Sequence, residues 1–230
     1  PSRARGLQLA AQGQHLLDER RIPEALATLR RAIREDPVLD AAWSGLASAA
    51  IADCRRDEAL FAAYQAAYLN PEAKVPIQQL RAAKVLQCPA RETSDASEKV
   101  EAQLAHEIHN AALWRAAAEA RNALDERLLS AFYFERALVC GADPATVRPE
   151  LLDRLEQAGL WRASLRLSET FGAEQDRETR LHAKLDSVAP RAARLALELG
   201  PRLNTTDDES RARLRECAEV LIANAPESGE

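Results

Sequence analysis

The chain has 230 residues, carries a formal net charge of −5 at pH 7, and is 47% hydrophobic but only 4% aromatic. Because alanine and leucine supply most of the apolar content and glycine is scarce, the composition favours helices. The acidic balance argues against nucleic acid as a partner, since binding a phosphate backbone needs a clustered basic face. No apolar run approaches the roughly 20 residues of a membrane span.

Two helical hairpins are predicted at the start of the chain. Apolar residues recur at helical spacing over residues 7–17 and 22–33, which gives the first hairpin. The same pattern returns over residues 43–50 and 57–69, with a turn near Cys54, which gives the second hairpin.

These two hairpins share a fixed period. Pro37 and Pro71, which close them, are 34 residues apart (71 − 37). Two pairs of small residues have the same spacing: Ala25 with Ala59, and Ala32 with Ala66. A period of this length, with small residues at matched positions, is typical of stacked helical hairpins in which each hairpin packs on the next.

Residues 13–71 resemble the tetratricopeptide repeat (TPR) family. The first repeat has residues of the family's types at its small, large and proline positions: Gly13, Ala25, Leu29, Ala32 and Pro37. The second repeat carries five more: Trp43, Leu46, Ala59, Ala66 and Pro71. It departs from the family at Ala47 and Ala63, where Gly and a large residue are usual. The resemblance implies an all-α superhelical solenoid of stacked antiparallel hairpins that binds other proteins.

The pattern becomes less regular after the second hairpin. One further helix keeps phase over about residues 75–87. Asp95 and Glu98 then form a capping-box-like start for the next helical stretch. That stretch is either one long helix or two helices broken near Asn110.

Two more hairpins are predicted further along the chain. The fourth hairpin runs from Trp114 to about Ala137. The fifth is predicted over Pro149 to Phe171, with its turn at Ala158 and Gly159.

We therefore predict a single helical-repeat domain over residues 1–230. Residues 1–71 hold the clear TPR-like repeats. Residues 72–171 hold divergent hairpins with a polar insertion near 89–95. Residues 172–230 are expected to form helices that cap the C-terminal end, because a terminal repeat must present a polar outer surface.

The TPR resemblance also implies a partner-binding groove. In that family the first helix of each hairpin lines a concave surface that holds the partner. The residues at the matching positions are Leu7, Ala10, Gln14 and Leu17 in the first repeat, Ser44 and Ser48 in the second, and Arg115, Glu119 and Asn122 in the fourth hairpin. The first two sets suit an apolar or helical segment. The third set is polar, so an extended partner should be acidic where it reaches there.

Residues that could support catalysis are few. His106 and His109 stand at i and i+3 on a helix, whereas the zinc-protease pattern uses i and i+4, and the sequence offers no third ligand. Helix histidines without a metal are the favoured interpretation, and a metalloenzyme is the alternative. There is no glycine-rich phosphate loop or nucleophile elbow. We therefore predict no catalytic residues, no metal, no cofactor and no enzymatic activity.

The four cysteines form no Cys-x-x-Cys pair, which argues against a zinc ribbon or a redox motif. Cys54 and Cys88 occupy equivalent turns of neighbouring repeats. Packed helices lie about 10 Å apart, whereas a disulfide needs Cα atoms within about 7 Å. Free, buried thiols are the favoured interpretation, and a disulfide is the alternative.

The predicted function is a non-catalytic scaffold or adaptor that holds a protein or peptide segment in its groove. The alternative rests on the absence of methionine, even at position 1, which indicates a processed form or a segment of a longer protein. The chain would then be the TPR portion of a larger enzyme, or of a secretion or assembly apparatus, whose chemistry lies elsewhere. Oligomeric state and compartment stay open, with cytoplasm and periplasm both compatible.

Overall fold

The computed structural model describes residues 3–72, 95–172 and 175–199, the last twelve of these by their backbone alone. The residues so described form ten α-helices and no strand. In chain order the helices are α1 (Arg3–Asp18), α2 (Ile22–Glu35), α3 (Asp40–Ala52), α4 (Arg56–Leu69), α5 (Ala96–Leu104), α6 (Ala111–Ala123), α7 (Arg127–Val139), α8 (Pro144–Gln157), α9 (Trp161–Phe171) and α10 (Gln175–Leu199). The helix predicted over residues 75–87 lies outside the described residues.

Neighbouring helices pack as consecutive hairpins. Helix α1 packs on α2, α3 on α4 and α6 on α7, while α1 and α2 both contact α3. The all-α class predicted from the sequence is thereby confirmed, and the pairing of helices is that of an all-α solenoid. By its contacts the chain divides into two compact units, Pro1–Val147 and Arg148–Glu230. None of the described helices combines the length and the apolar character that crossing a membrane requires.

Four hairpin turns use one backbone geometry. The turn residue has a left-handed φ of 61° at Arg20, 55° at Cys54, 59° at Asp125 and 77° at Gly159. In each turn the next N–H donates to the carbonyl five residues earlier, as in a Schellman motif. Arg20 and Cys54 are 34 residues apart (54 − 20), and so are Asp125 and Gly159 (159 − 125). The period read from the first two hairpins therefore returns in the α6/α7 and α8/α9 hairpins.

Small residues stand where the helices of these hairpins cross. Ala25, Ala59, Ser130 and Ser164 occupy equivalent positions on the second helix of their hairpins, and all four are fully buried. The Ser130 hydroxyl donates to a backbone carbonyl of α6 at 2.8 Å. A serine hydroxyl can satisfy itself in this way without the bulk that would separate the helices, so alanine and serine both fit.

Leu29 of α2 fits between two glycines of the neighbouring helices. A Cβ added to Gly13 of α1 would lie 2.5 Å from Leu29 Cγ, and one added to Gly45 of α3 would lie 2.8 Å from Leu29 Cδ2. Leu29 itself is fully buried. The missing side chains at both glycines therefore make the space in which this leucine packs.

An aromatic cluster joins the later hairpins of the first unit. Phe61 of α4 lies with its ring centroid 5.8 Å from Trp43 and from Trp114, and 6.1 Å from Tyr133. Trp114 and Tyr133 are 5.4 Å apart. These separations suit edge-to-face contacts, which add to the burial of apolar area. The cluster fixes α6 and α7 against α3 and α4.

Side-chain caps account for two helix starts that the sequence indicated. Asp95 accepts from the Ser97 N–H at 2.8 Å and begins α5. Asn110 accepts from the N–H groups of Ala112 and Leu113 and begins α6. Of the two possibilities for this stretch, the structure has two helices, and the break falls before Asn110.

The start of α8 differs from the prediction. The sequence placed it at Pro149, but α8 begins at Pro144 and contains Pro149. A proline at the first helical position loses no hydrogen bond, because that N–H has no partner inside the helix. The Asp143 side chain also accepts from the Ala145 N–H at 3.1 Å and caps the helix.

The prediction of free, buried cysteines is wrong for Cys54. Cys54 is disulfide-bonded, its partner lies outside the described residues, and its side chain is exposed. The spacing of packed helices does not apply to it, because Cys54 is the left-handed turn residue at the tip of its hairpin. Cys140 is a free, half-buried thiol.

Candidate functional site

Helix α1 presents three of the residues predicted to bind a partner. Leu7 is 48% exposed, Gln14 is exposed and Leu17 is half-buried. They lie beside the buried stripe of α1, in which Leu9 and Leu16 recur at helical spacing and face the neighbouring helices. Ala10, which the resemblance also placed in the groove, belongs to that buried stripe.

Helix α3 lies against α1 and adds two serines. Ser44 and Ser48 are half-buried, and the Ser48 hydroxyl donates to the Ser44 carbonyl at 3.1 Å. The Gln14 amide donates to Asp18 at 3.0 Å on its own helix. We call the set Leu7, Gln14, Leu17, Ser44 and Ser48 the α1–α3 surface. It is uncharged and has one well-exposed leucine.

The third predicted set stands on α6. Arg115 and Glu119 are exposed and form an ion pair at 3.0 Å, while Asn122 is half-buried. Helix α6 packs on α5 and α7, whereas α1 and α3 pack on each other. The structure therefore places the five residues of the α1–α3 surface on two adjacent helices. The α6 residues lie on a different helix, which packs on α5 and α7.

A charged cavity that was not predicted from the sequence lies among α2 to α7 of the first unit. Its volume is about 710 Å³. The described residues that line it include five arginines: Arg30, Arg34, Arg55, Arg56 and Arg121. They also include six acids: Asp57, Glu58, Asp95, Glu98, Glu101 and Glu126. Among these described residues, acidic groups exceed basic groups by one, so their charges nearly balance.

On the α4 side of the cavity, Glu58 is the common acceptor of two arginines. Arg30 Nε donates to Glu58 Oε1 at 2.7 Å, and Arg55 donates to Glu58 Oε2 at 3.2 Å. Glu98 of α5 lies 4.0 Å from Arg30, beyond hydrogen-bond distance. Glu58 therefore holds Arg30 firmly, and Glu98 is left with a weak contact.

On the other side, Glu101 is largely shielded from solvent, with its side chain 14% exposed, and lies among hydrogen-bond donors. Arg121 Nε donates to Glu101 at 2.7 Å, and the Tyr133 hydroxyl donates to the same oxygen at 2.9 Å. Burial raises the pKa of the Glu101 carboxyl above its ordinary value, against the attraction of Arg121. Burial, reinforced by Glu101, also raises the pKa of Tyr133 well above its ordinary value. The tyrosine thus stays protonated and remains a donor.

Glu126 links this cluster to the first hairpin. One carboxylate oxygen accepts from Arg121 at 3.0 Å, and the other accepts from Arg34 of α2 at 3.4 Å. Arg34 and Glu126 are 92 residues apart in the sequence. A contact over this separation could not have been inferred from the local sequence pattern. The only local signal of the cavity is the pair of acids on one face of α5, Glu98 and Glu101, because such a face commonly contacts cations.

The interpretation of His106 and His109 as helix histidines is wrong, because both lie between the end of α5 at Leu104 and the start of α6 at Ala111. His106 Nε2 lies 3.0 Å from Asp57 Oδ1, and the His106 side chain is 46% exposed. His109 is exposed. Within the described part of the chain, no three His, Cys, Asp or Glu side chains are grouped so that they could hold a metal ion.

Comparison with known proteins adds no family. The chain matches no protein-family model and no curated protein. The resemblance of residues 13–71 to the TPR family therefore stays a prediction from the sequence.

Proposed function

We propose that the chain is a non-catalytic scaffold of the TPR kind that binds a segment of a partner protein on the α1–α3 surface. The observation that carries this proposal is the recurrence of one turn geometry at a 34-residue spacing, from Arg20 to Cys54 and from Asp125 to Gly159. Repeats of this kind stack so that their first helices form an extended binding surface.

The chemistry of the α1–α3 surface supports an apolar partner segment. Leu7 is exposed to solvent, and the side chains nearest to it in the set are uncharged. A helix that carries leucine or a similar residue at one or two of its turns could bury Leu7 and Leu17 without removing a charge from water.

The α6 set supports a polar extension of the same partner. Arg115 is neutralised by Glu119, but both side chains are exposed, so solvent screens the pair and its net stabilisation is small. An acidic side chain of the partner can therefore replace Glu119 as the counter-ion of Arg115 at little cost. This is the basis for expecting acidic residues where the partner reaches α6.

A photocrosslinking amino acid placed at Gln14 tests the proposal in cells of the source organism. We expect a discrete crosslinked protein from this position. The matched control places the same amino acid at Arg31, an exposed position of α2 outside the α1–α3 surface. Crosslinks of equal yield and identity from the two positions, or none from Gln14, would contradict a partner site on this surface.

A further inference from the structure

Among the described residues that line the charged cavity, Glu98 is a carboxylate without a cation at hydrogen-bond distance. The Glu98 side chain is 44% exposed, and its Oε1 atom lies 4.0 Å from the Arg30 guanidinium. Arg30 is already engaged by Glu58 at 2.6 Å. Glu98 therefore has acceptor capacity that faces the cavity and is not used by its neighbours in the described structure.

The cavity is also lined by Arg56, whose side chain is 33% exposed but whose Nε atom is buried. Arg56 Nε has no hydrogen-bond acceptor among the residues that the structure describes. Its closest carboxylate oxygen, Asp57 Oδ1, is 3.9 Å away and lies 3.0 Å from His106. Leaving a buried N–H donor unsatisfied is costly, so an acceptor supplied by a ligand would be favourable there.

The remaining charges limit which ligand fits. Glu58, Glu101 and Glu126 are held by arginines at hydrogen-bond distance. Among the lining residues that the structure describes, acids exceed arginines by one. A strongly anionic ligand would be repelled by the excess carboxylates, and a strongly cationic ligand at Glu98 would be repelled by Arg30 beside it. A ligand that carries both charges satisfies the two open groups and keeps the balance.

We propose that this cavity binds a zwitterionic ligand of the size of an amino acid or a short peptide. Its ammonium group contacts Glu98, and its carboxylate accepts from Arg56. The apolar body of the ligand packs on lining side chains such as Ile33 and Leu46. A volume of about 710 Å³ is in the range of small-molecule sites. This site is separate from the α1–α3 surface and does not depend on the function proposed above.

Four forms of one dipeptide test the charge requirement on the full chain. The probes are leucyl-leucine, its N-acetyl form, its amide, and the form that is both acetylated and amidated, measured by isothermal titration calorimetry. We expect leucyl-leucine to bind at least about tenfold more tightly than each blocked form, because only it presents both charges. Equal affinities for the four probes, or no heat of binding from any of them at millimolar concentration, would overturn the proposal.

Two substitutions assign the charges to residues. Glu98→Gln should abolish the preference for a free ammonium, and Arg56→Gln should abolish the preference for a free carboxylate. The matched controls are Glu24→Gln and Arg31→Gln on α2, outside the cavity, which should keep both preferences. If Glu98→Gln and Arg56→Gln kept both preferences as well, the site would lie elsewhere. The comparison of the four probes on the unmodified chain holds even if a variant fails to fold.

Discussion

Replacing Gly13 with alanine should destabilise the protein, although glycine inside a helix is ordinarily a weak point. Alanine would normally add about 0.5–1 kcal/mol to helix stability at such a position. Here its Cβ would lie 2.5 Å from Cγ of Leu29, which is fully buried and confined on its other side by Gly45. Overpacking of this kind costs about 1–3 kcal/mol. The two effects together give a net loss of about 0–2.5 kcal/mol in the free energy of unfolding, with about 1 kcal/mol near the middle of that range.

Urea unfolding followed by circular dichroism measures this change. The control is Ala11→Gly at an exposed position of α1, which should lose about 0.5–1 kcal/mol through helix propensity alone. Leu29→Ala should cost about 2–5 kcal/mol by itself. It should cost less when Gly13→Ala is also present, because the truncated side chain makes room for the new methyl group. A stabilising Gly13→Ala, or strict additivity in the double variant, would refute the packing described for Leu29.

Three further outcomes are expected. Ala59→Leu should cost about 1–3 kcal/mol of unfolding free energy at the buried crossing of α3 and α4, whereas Ala52→Leu at an exposed position should be nearly neutral. Equal melting temperatures for the two variants would contradict the placement of Ala59 at the crossing. Asp95→Ala should cost about 1 kcal/mol at pH 7. Hydrogen bonds from Ser97 lower the pKa of Asp95, so the stabilisation by this cap is fully present above about pH 4 and is lost as the pH falls through the folded-state pKa. A destabilisation by Asp95→Ala that stayed the same in acid would contradict this capping role. Iodoacetamide should label Cys140 in denatured, unreduced protein but Cys54 only after reduction, as mass spectrometry can show.

The repeat architecture was readable because its signals are local. Small residues such as Ala25 and Ala59 recur at one spacing, and the structure buries both completely at helix crossings. Asp95 caps its helix as its residue type indicated. The prediction that Gly159 turns a hairpin also holds, with φ at 77°. Each of these features depends on residues within a turn or two of the chain, where sequence pattern is informative.

The features that the sequence did not reveal depend on distant partners. Two lining residues of the cavity, Arg34 and Glu126, form an ion pair although they are 92 residues apart in the sequence. The sequence near either residue does not indicate that pairing. Cys54 was predicted to be a free, buried thiol because packed helices lie too far apart for a disulfide, yet it is disulfide-bonded and exposed at the tip of a turn. Pro149 was read as a helix start, although Pro144 occupies the first helical position. In the first two cases tertiary placement decided the outcome.

The affinity of the partner segment for the α1–α3 surface tests the central proposal most directly. The segment identified by crosslinking at Gln14 would be titrated against the unmodified chain, Leu7→Asp and Val38→Asp. Leu7 and Val38 are both well-exposed aliphatic residues, at 48% and 56%, so neither change should affect folding, and only Leu7 belongs to the surface. We predict that Leu7→Asp weakens binding by at least about tenfold, because a charge must then be buried against an apolar segment, while Val38→Asp changes it by less than about twofold. Equal affinities for Leu7→Asp and the unmodified chain, or a larger loss from Val38→Asp, would contradict the proposal.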